Sequence, residues 1–139
     1  MITYYPAKIN SPQTEIVSAI DAASVTITVA DISVFPTAPN LATLGVDSSA
    51  ETILYTGISG DDLTGITRGF QGIASTWAIG IKIARYFTAY DHDTVNQNVA
   101  TLSASVTTLS ASITSLSASV TSLDASITIL NNKSMWGGI

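Results

Sequence analysis

Tyr90-Asp91-His92-Asp93 is the one place where the single histidine of this 139-residue chain meets carboxylates. That combination is the natural candidate for acid–base or metal chemistry. The segment around it reads as helix, however, and consecutive helical residues point about 100° apart. Its side chains therefore do not converge on one ion, and no metal is expected on a single chain. A second pattern, Arg68-Gly69 with Gly72, has the look of a phosphate-cradling loop. It lacks the lysine and following Ser/Thr of a P-loop and opens no clear helix. Glycines serving turn geometry, with Arg68 as a salt-bridge or carbonyl donor, are the simpler reading. Asp61-Asp62 with Asp47 and Glu51 offer oxygen ligands for calcium, but without EF-hand spacing they read as acidic turns facing solvent. Serine is abundant, yet no nucleophile elbow appears and the single histidine lies where the strand-rich segment gives way to the heptads. No enzyme activity and no cofactor are expected.

The totals agree. Hydrophobic residues make up 46% and charged residues 11%, which is not the composition of a disordered chain. Net charge is −5, with five basic residues spread along the sequence, so no nucleic-acid face is expected. With no cysteine, disulfides and thiolate sites are excluded. The first residues show neither a basic region nor an apolar core of a secretory signal. No stretch approaches the roughly 20 continuous apolar residues of a membrane span. The expectation is a soluble, intracellularly made, uncleaved chain with no membrane insertion.

Four segments would have to position any site. Residues 1–12, with Pro6 and Pro12, read as an extended arm whose Tyr4-Tyr5 pair docks either on a neighbour or on its own domain. Residues 13–87 read as short strands between turns. "SVTITVA" alternates Val25, Ile27 and Val29 against Thr26 and Thr28, the signature of a half-buried strand. "VFPTAPN" breaks that pattern with two prolines. "ETILYTGI" and "LTGITR" flank "SGDD", where Gly60 and Asp61 suit the positive φ of a tight hairpin. "GIKIARYF" alternates again, Ile81 and Ile83 against Lys82 and Ala84. Roughly six or seven strands point to a small antiparallel barrel or sandwich.

Residues 88–131 change character. Val99, Val106, Ile113, Val120 and Ile127 fall at heptad position a, and Leu102, Leu109, Leu116, Leu123 and Leu130 at d. Five unbroken heptads are a strong coiled-coil signal. "TAYD" resembles a capping box with Asp91 in place of Glu or Gln. Extending the register backwards puts Val95 at d and His92 at a. Copies of His92 then either meet on the axis, holding water or an anion when protonated, or fray at the start of a rod about 60 Å long.

Fifteen of the 32 residues in 99–130 are Ser or Thr, and Asp124 is the only charge there. Each hydroxyl residue costs a helix about 0.5 kcal/mol relative to alanine, and no charge pairs compensate. Each buried a or d side chain contributes about 1.5–3 kcal/mol, but only once a partner helix covers it. Helix formation and oligomerisation are thus expected to be one event. Residues 132–139 close the chain as a tip, and Asn131, Asn132 and Ser134 interrupt the heptads around its start. There Met135 and Trp136 form either a docking peptide for another protein or a self-packed end.

The stretch "ETILYTGISGDDLTGITRGFQG", residues 51–72, resembles a module of bacteriophage virion proteins: tail-fibre, head-fibre and minor structural proteins. The preceding "AIDAASVTITVADISVFP" is similar to the segment that commonly leads into it. Two positions depart from the pattern: Ile73 stands where threonine is usual, and Trp77 about where a histidine is. The resemblance implies a non-enzymatic virion building block, made in the host cytoplasm and attached to capsid or tail, with host adhesion within its scope. It also implies a homotrimer. Val or Ile at a with Leu at d leans towards two strands, whereas serine at e and g lets a third helix approach. The fold class expected is α+β by segment: a small antiparallel β barrel or sandwich, then a parallel, trimeric coiled-coil helix. The rival reading is a receptor- or glycan-binding module with the β domain outermost.

Overall fold

Period-2 alternation sets the strands, and the structure, a computed structural model, describes residues 1–137. Gly138 and Ile139 of the expected tip lie outside the described residues. In chain order the strands are β1 (Gln13–Glu15), β2 (Thr26–Thr28), β3 (Asn40–Leu44), β4 (Glu51–Tyr55), β5 (Gly57–Ser59), β6 (Asp62–Thr64), β7 (Thr67–Gln71) and β8 (Lys82–Ala84). One helix, α1 (Ala89–Trp136), follows. The coarse α+β expectation therefore holds.

Every strand pairing is antiparallel. A five-stranded sheet runs β1-β8-β3-β4-β7 and a three-stranded sheet runs β2-β6-β5. Neither sheet closes into a barrel. They share one core, to which the smaller sheet gives Ile27 and Leu63 and the larger gives Leu44, Ile53, Tyr55 and Ile83.

Four local expectations change. Val25 is exposed although Ile27 and Val29 are buried, because the strand begins only at Thr26. The hairpin joining β5 to β6 pairs Ser59 with Asp62, leaving Gly60 and Asp61 at its tip. Only Gly60 takes positive φ, +57°, so a glycine at the first central position suffices for the turn. Strands β1 and β3 add to the expected set: β1 is three residues long and β3 follows the cis Ala38–Pro39 bond. Finally, the helix continues past residue 131 to Trp136, since Asn, Lys and Ser weaken a helix without stopping it, whereas Gly137 ends it.

The chain divides into two compact units, residues 2–95 and the helix from residue 96 onward. The first turns of α1 belong to the β unit, where Thr94 is buried. The arm of residues 1–12 has no regular strand or helix and packs on its own unit: Asn40 Nδ2 donates to the Pro6 carbonyl, and the Tyr90 hydroxyl to that of Thr3.

Candidate functional site

Glu51 falls on the same face of β4 as Ile53 and Tyr55, so its carboxylate enters the core. A buried carboxylate must be paired and hydrogen-bonded. Arg68 meets it with two parallel bonds of 2.7 Å, Nε to Oε1 and Nη2 to Oε2. The Trp77 indole N–H donates at 2.9 Å, and the backbone N–H groups of Gly69 and Ser75 at 2.8 and 3.2 Å. Burial pushes the Glu51 carboxyl up, but these donors outweigh it and hold the group below its ordinary value. Two devices aim the donors. A bulge opposite the Thr52–Leu54 step turns Arg68 and Gly69 inward from β7. Gly72, at φ +82°, lets β7 leave the sheet where a Cβ would stand 2.7 Å from the Ala50 carbonyl oxygen. The first and last parts of the 51–72 motif are thus the two ends of one ion pair. Trp77 adds a ring N–H donor to that pair.

Arg85 is a second buried charge, 1% exposed, and it lies on the core-facing phase of Ile81 and Ile83. Its guanidinium reaches Asp91 at 2.6 and 2.9 Å, Asn40 Oδ1 at 2.8 Å, and the carbonyls of Tyr5, Pro6 and Tyr86. Asp91 in turn accepts from the Thr88 N–H at 2.8 Å and from the Thr88 hydroxyl at 3.0 Å. The expected capping box is therefore half formed. The carboxylate reaches back to the backbone, but the threonine hydroxyl donates to it rather than accepting from residue 91. Burial raises the Asp91 carboxyl, and Arg85 and Thr88 more than reverse that. Tyr5, Phe70 and Tyr90 pack as an aromatic trio with ring centroids 4.9–6.4 Å apart.

These arrangements absorb most of the candidate chemical groups. Arg68 is committed to Glu51, which leaves no free guanidinium beside Gly69 and Gly72 for a phosphate. Asp47 accepts from the Ser49 N–H and hydroxyl, which hold its pKa low. Among the described residues no three His, Asp or Glu side chains gather to hold a metal. His92 is exposed at the start of α1. Tyr5 is half-buried in the aromatic trio, while Tyr4, Met135 and Trp136 are exposed. Arg85 belongs to no motif, and the one sequence signal for it is an arginine on the buried phase of an alternating strand, which implies a buried ion pair.

The largest unexplained feature is the stripe on α1. Val95, Val99, Leu102, Val106, Leu109, Ile113, Leu116, Val120, Leu123, Ile127 and Leu130 are each 47–64% exposed, with nothing packed over them. Between residues 99 and 128 the rest of the helix surface is alanine, serine and threonine, with Asp124 the one charge; Ile129, Met135 and Trp136 are exposed off the stripe nearer the end. Thr107, Thr114, Thr121 and Thr128 at b each donate to the carbonyl four residues earlier, at 3.0 Å. Ser105, Ser112, Ser119 and Ser126 at g do the same at 3.0–3.1 Å. These hydroxyls are satisfied within their own helix, so a neighbouring helix can cover them without stranding a polar group.

By length and composition α1 could also cross a membrane, with an 18-residue window of mean hydropathy 1.3. A lipid-facing helix is apolar around its circumference, whereas from Val95 to Thr128 the large apolar side chains keep to one stripe. No protein-family model matches this sequence, and no curated protein matches it.

Proposed function

We propose that this chain is a non-enzymatic structural protein of a bacteriophage virion. It serves as a short homotrimeric fibre, or as an adaptor that anchors one to head or tail. The observation that carries the reading is the uncovered a/d stripe, eleven large apolar residues in unbroken heptad register. So much apolar surface on one face is an interaction surface, and a seven-residue register has no purpose against lipid but is what a second and third copy of the same helix require. Small serines at e and g, self-satisfied at g, favour three close helices over two. The phage assignment rests on the 51–72 motif and on the ion pair that closes it.

Light scattering combined with circular dichroism tests the oligomer. The expected result is a mass of three chains, with helix and mass lost together on dilution. A single-chain mass with the helical signal intact overturns it. Antibodies to residues 2–95 are expected to label purified particles of a phage that carries this sequence. Absence of the protein from such particles overturns the virion assignment.

A further inference from the structure

We infer that the outer face of the five-stranded sheet carries a binding groove for a neutral saccharide. One transverse row of residues crosses all five strands: Gln13 opposite Ala84, Ala84 opposite Thr43, Thr43 opposite Thr52, and Thr52 opposite Gln71. The core cluster lies on the other side of this sheet, and on this side Gln13 and Gln71 flank Ala84, Thr43 and Thr52, which are at most 9% exposed. The four polar members line a groove of about 560 Å³, walled by the turn after β3 and by the segment leading into α1. That volume is in the ordinary range for a small-ligand site.

The chemistry of the lining selects the ligand. No lysine or arginine lines the groove, so nothing there compensates an anion. Its one carboxylate, Asp47, is already held by Ser49. What remains is neutral and two-sided. The Gln71 amide has no partner among the described residues and presents both donors and an acceptor. The Thr43 and Thr52 hydroxyls share one buried hydrogen bond of 2.9 Å, so one of the two O–H groups at the groove floor is uncommitted. Gln13 uses one amide hydrogen on the Tyr86 hydroxyl and keeps its carbonyl oxygen free. Sugar hydroxyls are donors and acceptors at once, so a floor of amides and hydroxyls matches them. Phe87, 71% exposed at the groove, supplies an apolar ring against which the C–H face of a sugar can lie. An apolar peptide side chain would leave the Gln71 amide unsatisfied, which disfavours a peptide occupant.

The test uses the full-length protein in its native oligomeric state. It is screened on an array of neutral hexose and N-acetylhexosamine oligosaccharides, with any hit titrated calorimetrically. Binding is expected, weakened at least tenfold by Gln71→Ala and by Phe87→Ala, and unaffected by Ile73→Ala as a control. Neither tested side chain holds the fold together, so thermal unfolding should not move and lost binding cannot be blamed on misfolding. Silence across the array, binding that survives both substitutions, or binding of peptides alone overturns the inference. So does protection of Phe87 from hydroxyl-radical labelling in the unliganded oligomer, which would assign the groove to a neighbouring chain. None of these outcomes bears on the trimeric seam, which is measured separately.

Discussion

Arg85 and Asp91 form a two-pronged ion pair, 2.6 and 2.9 Å, that ties the residue after the last strand to the first turn of the helix. Both side chains are nearly or fully buried, and the same guanidinium also gathers the arm through the Tyr5 and Pro6 carbonyls. Removing one partner of such a pair leaves the other charge uncompensated, a cost of about 3–5 kcal/mol. Asp91→Asn is therefore expected to lower the denaturant midpoint of the β unit sharply and to expose the arm to limited proteolysis. Unchanged stability would mean that water already compensates Arg85.

Acid should act through the same groups. Glu51 and Asp91 both have folded-state pKa values below the ordinary 4.5 and 3.8. The unfolded chain therefore binds more protons than the folded one as pH falls past those values. Their stabilisation is complete above about pH 4.5 and is lost as pH drops through the lowered pKa values. Denaturation midpoints are expected to stay flat from pH 7 to 5 and then decline. Asp21, Asp31 and Asp47 are shifted the same way by nearby serines. The Glu51→Gln variant isolates the buried term: it should start less stable at pH 7 and show a shallower acid slope.

The seam predicts a linked loss. Aspartate at two d positions, Leu109→Asp with Leu116→Asp, places charges where sister helices would have to bury them. Sedimentation should return a single-chain mass, and the helical dichroism of residues 96–136 should fall with it. Buried Trp77 should keep its native fluorescence, because residues 2–95 hold their own core. The unaltered protein should remain in the aqueous fraction when floated with neutral phospholipid vesicles. Flotation with the vesicles would transfer the stripe from sister chains to lipid.

Two glycines separate strain from crowding. Gly60 sits at φ +57° with nothing near its missing Cβ, so Gly60→Ala should cost about 1–2 kcal/mol from backbone strain alone. Gly72→Ala adds a 2.7 Å approach to the Ala50 carbonyl oxygen beside Glu51. It should be the more damaging of the two in thermal unfolding, and it should also disturb the Arg68–Glu51 pair. Equal costs would show that the turn can shift without moving β4.

What the chain determines by itself is whatever repeats locally. The heptads of residues 99–130 fix a helix and its apolar stripe because period and register are properties of neighbours within one turn or two. Gly60 at a two-residue turn and the alternation around Ile27 and Ile83 are legible for the same reason. Tertiary structure decided the rest, since the deciding contacts join residues far apart in sequence. Glu51 became the centre of an ion pair rather than an acidic turn only when β7 brought Arg68 to it and the following loop brought Trp77. Arg85 found Tyr5 eighty residues away, and the outward row from Gln13 to Gln71 exists only because five strands align in register. Burial turns a lone charge into a liability that long-range partners must answer, and no local pattern names those partners.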